Sequence, residues 1–156
     1  MSGRAACGIA VVLLAALLVL EVDSGLDRLV ASRWLIRAEV TSIEAARMGA
    51  PGGALLRANI DLLKRAEQKD PLEPAIPLAI GSVHLLLGSP QAAIEAYQRS
   101  LAIELRPETF LNLGRAQRRA GLPAEARESF ATTLRLDTQL TPQVEAELKG
   151  MGNPPS

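Results

Sequence analysis

Aromatic side chains, cysteine and net charge are all scarce in this sequence, and each scarcity argues against a class of function. Aromatic residues make up 3% of the 156 residues, too few for the stacking platforms that bind single-stranded nucleic acid. Cys7 is the one cysteine, so the chain can form neither an internal disulfide nor a cysteine zinc site. The 17 basic and 17 acidic residues cancel, so no net charge attracts nucleic acid.

Residues suited to catalysis or metal binding are also few. His84 is the only histidine, and a single histidine without clustered partners is poor evidence for a metal or catalytic site. We expect it to be a partly buried packing residue. The sequence contains no phosphate-binding loop, dinucleotide-binding motif, zinc-protease motif or nucleophile elbow. We therefore expect no enzyme activity, no cofactor, no metal and no small-molecule substrate.

Hydrophobic residues make up 48% of the chain, and many of them are Ala and Leu. Both residues favour helices. Val and Ile form no alternating run, so a sheet has little support. The composition predicts an all-α protein.

The N-terminal region contains an apolar run over residues 5–20, preceded by Arg4 and followed by Glu21 and Asp23. Such a run is typical of a membrane or export segment. We favour a signal anchor over residues 1–23, forming a transmembrane helix and followed by a linker over 24–30. A signal peptide cleaved near Ser24 is the alternative, and a buried core helix is a third interpretation. The flanking charges predict a single-pass membrane protein with a cytoplasmic N-terminus and an extracytoplasmic, periplasmic domain.

An internal repeat appears when the chain is compared with itself at an offset of 33 residues. The matched pairs keep their order, and they are Pro74 with Pro107, Gly81 with Gly114, Gly88 with Gly121, Pro90 with Pro123, Ala93 with Ala126, Glu95 with Glu128, Tyr97 with Phe130, and Leu101 with Leu134.

The matched residue types indicate two helical hairpins. Gly88 and Gly121 would end a helix in the left-handed conformation, and Pro90 and Pro123 would begin the next one. Ser89 would cap the first of these helices. The remaining pairs predict repeat packing, with small residues where helices approach closely and aromatic rings between units: Gly81, Ala93, Tyr97, Gly114, Ala126 and Phe130.

The second copy reads Phe110-x2-Leu113-Gly114, then Ala126-x3-Phe130, which resembles the tetratricopeptide repeat (TPR) family in its membrane-anchored bacterial form. The first copy has Pro77 at the aromatic position, which a helix tolerates only in its first turn. The resemblance implies a right-handed superhelix of antiparallel helical hairpins. It divides the chain into a degenerate hairpin over 31–71, two TPR-like repeats and a capping helix over 72–149, and a disordered tail over 150–156.

In the family, the first helices of successive units line a concave groove that binds protein segments. By position, the resemblance implies a groove lined by Leu78, Ser82, Leu85, Leu111, Asn112, Arg115, Arg118 and Arg119. Arginine is well suited to carboxylate recognition, so an acidic segment is the expected ligand. The alternative is a solvated helix face whose arginines pair within the chain, with Glu108 or Glu125.

The expected function is therefore a membrane-tethered protein–protein interaction module, acting as a scaffold or assembly factor for an envelope complex. Two alternatives are a soluble exported adaptor or chaperone in the periplasm, and an accessory subunit of a multipass membrane enzyme. The expected partner is a protein, which could itself be an integral membrane protein.

Overall fold

The computed structural model describes residues 3–49 and 52–151, with side chains from Glu21 onward. Every regular element in this part of the chain is helical, as the sequence predicts. The helices are α1 (Gly3–Met48), α2 (Gly53–Lys69), α3 (Ala75–Leu86), α4 (Pro90–Ile103), α5 (Pro107–Arg119), α6 (Pro123–Leu136) and α7 (Thr141–Lys149), with a short 3-10 helix at Thr138–Leu140 before α7.

Successive helices pack as three hairpins, α1 with α2, α3 with α4, and α5 with α6. Gly88 and Gly121 end α3 and α5 with φ of 73° and 78°, which confirms the predicted left-handed conformation. The amide after each glycine reaches back to the last turn: Ser89 N donates to His84 O at 2.9 Å, and Leu122 N donates to Gln117 O at 2.9 Å. This bonding satisfies carbonyls that the helix end leaves open.

The helices α4 and α6 begin in the same way. Pro90 and Pro123 occupy the first turn, where a missing N–H costs nothing. Ser89 stands at the N-cap of α4 but makes no side-chain capping bond, so that part of the prediction is wrong. Leu122, its equivalent before α6, has no polar side chain to offer. Proline therefore defines these helix starts without a capping hydroxyl.

An aromatic ring lies against a glycine in each of the two clear units. A Cβ added to Gly81 would lie 2.5 Å from Cε1 of Tyr97, and one added to Gly114 would lie 2.5 Å from Cε1 of Phe130. Both distances are far below a normal carbon contact. Each glycine therefore provides the space that the ring fills. Ala93 and Ala126 are also fully buried, on the same helices as the rings.

In each of the two clear units, a buried hydroxyl on the second helix makes a hydrogen bond to the proline carbonyl at the start of the first helix. Ser100 Oγ donates to Pro74 O at 2.8 Å, and Thr133 Oγ1 lies 3.5 Å from Pro107 O. Both hydroxyl residues are fully buried and 33 residues apart. Pro74 precedes α3 directly, so Pro77 stays within the first turn, as its presence requires.

The first hairpin differs from the prediction at its N-terminal side. Residues 24–30, expected to be a linker, are helical and belong to α1. Gly25 is the only strong helix breaker among them, and its cost of about 1 kcal/mol is too small to end a long helix. The hairpin is fastened by a buried amide: Asn59 Nδ2 donates to Ser42 Oγ at 2.9 Å and to Ala38 O at 3.2 Å, while Thr41 Oγ1 donates to Asn59 Oδ1.

The predicted transmembrane segment rests on residues 5–20, whose side chains lie outside the described part of the chain. Elsewhere, in the residues described with their side chains, no helix is long and apolar enough to cross a bilayer.

At the C-terminal end, α7 covers the last hairpin. Val144 is fully buried and packs with Leu111, Ala126 and Phe130. The exposed face of α7 is polar, as expected for the cap of a helical repeat. Of the tail predicted to be disordered, residues 152–156 lie outside the described part of the chain.

Candidate functional site

The first helices of the three hairpins enclose a concave apolar groove. One cavity in this groove has a volume of about 680 Å³. Leu78 and Leu86 of α3 and Ile43 of α1 line this cavity. The other lining residues are Ala38, Glu39, Ser42, Ala46, Arg47, Leu63, Ala79, Ser82, Val83 and Asn112.

A smaller cavity of about 350 Å³ extends this groove toward α5 and α7. Ser82, Leu86 and Asn112 line both cavities, so the two form one continuous surface. The walls change in character along it. The α1 end is apolar, whereas the α5 end is lined by Arg115, Arg118, Arg119 and Glu147.

The arginines at the α5 end hold a carboxylate from the capping helix. Arg115 Nε lies 2.8 Å from Glu147 Oε1, and Arg118 Nη2 lies 2.7 Å from Glu147 Oε2. The Glu147 side chain is 16% exposed, while the two arginines are about one third exposed. Each carboxylate oxygen thus binds one arginine, and the intrachain partner is Glu147 rather than Glu108 or Glu125.

Two further contacts orient this end of the groove. Arg115 Nη1 donates to Asn112 Oδ1 at 3.1 Å, and Arg119 Nη1 donates to Leu85 O at 3.1 Å across the gap to α3. Arg118 Nε is buried and has no hydrogen-bond partner among the described atoms. The cluster can therefore donate more hydrogen bonds than Glu147 alone accepts.

Tyr97 lies beneath the smaller cavity. Its hydroxyl is 3.3 Å from Ser82 Oγ, and burial raises the pKa of the phenol, against the opposing effects of Ser82 and the nearby arginines. Tyr97 therefore stays a neutral hydroxyl at physiological pH. On the opposite side of α3, burial lowers the pKa of His84, and Lys64 and Arg99 lower it further.

The structure brings together seven of the eight residues assigned to the groove from sequence. Leu111 is the exception, because it is 5% exposed and packs under α7 with Phe130 and Val144. It lies on the face of α5 that the cap covers. The seven residues that line the two cavities are Leu78, Ser82, Leu85, Asn112, Arg115, Arg118 and Arg119.

Sequence reasoning missed two contributors to the groove. The wall from α1, including Ile43 and Arg47, was missed because the first hairpin matches the repeat pattern weakly. A signal was available in Ala31, Ala38 and Ala45, whose seven-residue spacing indicates one buried helix face. Glu147 was missed because its contact depends on how α7 docks, and no local pattern encodes that docking.

The described residues contain no group of three or more His, Cys, Asp or Glu side chains placed to hold a metal ion. The polar groups that line the two cavities are arginines, the carboxylates of Glu39 and Glu147, the amide of Asn112 and hydroxyls. This set is suited to recognising charged and hydrogen-bonding groups of a ligand.

Comparison with known proteins gives the fold its context. A thermophilic TPR protein from Thermus thermophilus superposes with a TM-score of 0.67 and 25% sequence identity, over 74% of this chain and 62% of that one. The MamA protein superposes with a TM-score of 0.51 and 24% identity, over 67% of this chain and 56% of that one. No protein-family profile and no curated protein matches the sequence.

These likenesses show that the chain has an all-α helical repeat fold like that of TPR proteins, which agrees with the resemblance found in the sequence. The chain spans less than two thirds of the length of either protein.

Proposed function

We propose that this chain is a protein–protein interaction module whose concave groove binds a partner segment, and that it acts by binding rather than by catalysis. The observation that carries this proposal is the composite groove, apolar along α1 and α3 and cationic at α5. A concave, mostly apolar surface with a few converging polar groups is the usual form of a binding site.

The two ends of the groove define the chemistry of the ligand. Apolar side chains of the partner would lie on Leu78 and Leu86, where burial of apolar surface favours binding. An acidic side chain or a terminal carboxylate would lie at Arg115 and Arg118. These two arginines already bind the carboxylate of Glu147 at 2.7–2.8 Å, which supports carboxylate recognition at this point. A segment with apolar residues next to an acidic group therefore fits the groove.

The test is charge reversal at the cationic end. We expect the double variant Arg115→Glu with Arg119→Glu to lose capture of a membrane or envelope partner, identified by mass spectrometry with the wild-type chain as bait. The matched control reverses Arg106 and Arg135, which line neither cavity. Because Arg115→Glu also places a second carboxylate beside Glu147, circular dichroism must show that the variant folds. Arg119→Glu alone leaves the Glu147 contacts in place and gives a milder test. Capture of the same partner by both groove variants, at wild-type yield, would refute the proposal.

We further propose that residues 5–20 direct the module to a membrane or across it. One form is a membrane-tethered scaffold or assembly factor with its helical repeats outside the cytoplasm. The other is a periplasmic adaptor released by cleavage near Ser24. The uncharged run of 16 residues supports both forms. Membrane fractionation with N-terminal sequencing distinguishes them, since a soluble chain that begins near Gly25 would exclude the tether. An accessory subunit of a multipass enzyme would instead co-purify in detergent with one dominant integral membrane protein.

A further inference from the structure

The outer face of α1 carries a long stripe of exposed apolar side chains. Each side chain is between 52% and 64% exposed, and contiguous apolar surface of this kind marks an interaction site. The stripe consists of Val22, Leu26, Leu29, Ile36, Val40 and Ile43.

The spacing of the stripe is that of a coiled coil. Starting at Val22, steps of four and three residues alternate without interruption to residue 47, and Arg33 and Arg47 occupy the two positions that are not apolar. A four–three repeat sustained over nearly four heptads keeps one face of a helix toward a partner helix. The opposite face is buried within the domain, at Ala31, Ala38 and Ala45. The stripe thus plays no part in holding α1 to α2 and α3.

The position of α1 at one end of the helical repeat also favours an interaction at the stripe. Helical repeats need a cover at both ends, because a terminal unit otherwise leaves its stacking face open. The last hairpin is covered by α7, through Val144 and Leu148. The first hairpin has no such cover among the described residues, and the stripe is exposed on it, with Ile43 also lining the groove.

We propose that a second copy of this chain covers the stripe, with the two α1 helices packed antiparallel as a two-stranded coiled coil. The alternation of four- and three-residue steps along the stripe is the same when it is counted from either end. In an antiparallel pair, Val22 therefore faces the partner's Arg47, Leu26 faces the partner's Ile43, Leu29 faces the partner's Val40, and Arg33 faces the partner's Ile36. The inner positions, from Leu26 to Ile43, pair among themselves and do not need Val22 or Arg47.

Charge selects the antiparallel orientation. A parallel pair would place Arg33 against the partner's Arg33, Arg47 against the partner's Arg47, and Glu39 beside the partner's Glu44, each a repulsive contact. In the antiparallel pair, Arg33 lies within a helical turn of the partner's Glu39.

The side chains that make these contacts are available for them. Arg33, Glu39 and Arg47 are all exposed, and none of them forms a salt bridge within the described part of the chain. The seam would cover Ile43 in the α1 wall of each groove and leave the parts lined by α3 and α5, and two such linked surfaces bind a repeated or multivalent partner more tightly than one.

The orientation also bears on the N-terminal run. In an antiparallel pair, the two chains leave the coiled coil toward residue 20 at opposite ends, so both cannot continue into the same bilayer. The pairing therefore rests on the released form among the two forms proposed above, in which Val22 is lost with the cleaved segment and the six seam positions from Leu26 to Ile43 remain. The groove experiment uses residues on α5 and tests a separate claim, so the two can fail independently.

Disulfide trapping of the released chain, recovered from cells that express the full sequence, tests the pairing and its direction. Cys7 is replaced by Ser, and single cysteines are placed at Leu29→Cys or Val40→Cys in separate preparations. In the antiparallel pair residue 29 faces residue 40, whereas two copies of residue 29 are about 16 Å apart along the axis, too far for a disulfide. We expect a crosslinked dimer when the two variants are mixed and none from either variant alone.

A cysteine at the exposed Leu105, which lies off the stripe, controls for random collision. A self-crosslink of either single variant would show parallel pairing and overturn the proposal. The absence of a crosslink in the mixture would also overturn the pairing. The stripe would then be a surface that binds a membrane or another protein. As a second check, Glu39→Arg should lower the mixed crosslink about tenfold, and adding Arg33→Glu should restore it. Unchanged yield in both would refute the charge argument.

Discussion

Replacing Gly81 with alanine tests the packing that defines each repeat unit. The added methyl would lie 2.5 Å from Cε1 and 2.7 Å from Cδ1 of Tyr97, against a normal carbon contact of about 3.5–4.0 Å. Tyr97 is 1% exposed, so its rigid ring has little room to move. Overpacking costs about 1–3 kcal/mol, and this geometry favours the upper end. Alanine returns about 1 kcal/mol through helix propensity. We expect a net loss of about 2 kcal/mol.

The assay is urea unfolding followed by circular dichroism, with Gly25→Ala as the matched control. Gly25 is also inside a helix, and a Cβ added there meets no atom within 4 Å. The same substitution at Gly25 should therefore stabilise the protein, by up to about 1 kcal/mol. Gly114→Ala should repeat the Gly81 result, because Phe130 lies at the same distance. In a Tyr97→Leu background, the penalty of Gly81→Ala should largely disappear. Equal effects of alanine at Gly81 and Gly25 would refute the reasoning.

Two further predictions concern single side chains. Glu147→Gln should lower the free energy of unfolding by about 1–2 kcal/mol, because two arginines that are one third exposed lose their carboxylate partner. The same variant should bind an acidic peptide more tightly in calorimetry. An unchanged affinity would mean that Glu147 does not compete with the peptide for the site. Burial lowers the pKa of His84 in the folded chain. As pH falls below the ordinary value of 6.5, the unfolded chain therefore takes up a proton at a higher pH than the folded chain does. The free energy of unfolding should fall in that pH range. His84→Gln should reduce this slope, and a slope identical to wild type would contradict the assignment.

Features set by local backbone chemistry were predictable from the sequence. Gly88 and Gly121 are needed where the chain turns left-handed at a helix end, and Pro90 and Pro123 where a helix begins. These requirements recur at a fixed offset, so a single sequence reveals them. The repeat fold and its hairpins follow from the same signals.

Contacts between distant elements were not predictable in this way. Glu147 reaches Arg115 only because Val144 docks α7 on the last hairpin, and the same docking buries Leu111. α1 continues through residues 24–30 because one glycine costs a long helix only about 1 kcal/mol. The prediction of a linker there gave that cost too much weight. The apolar stripe on α1 could not be identified from the sequence alone, because the sequence does not show which face of the helix is buried.

The most direct test of the central claim is site-specific photocrosslinking of the groove in living cells. A photoreactive amino acid replaces Leu86, which is 50% exposed and lines both cavities. The control position is Leu136, which is 49% exposed and lines neither. We predict a defined protein adduct from Leu86 that Arg119→Glu reduces, with none from Leu136. Adducts of the same protein from both positions, or none from Leu86, would contradict a binding groove at this face.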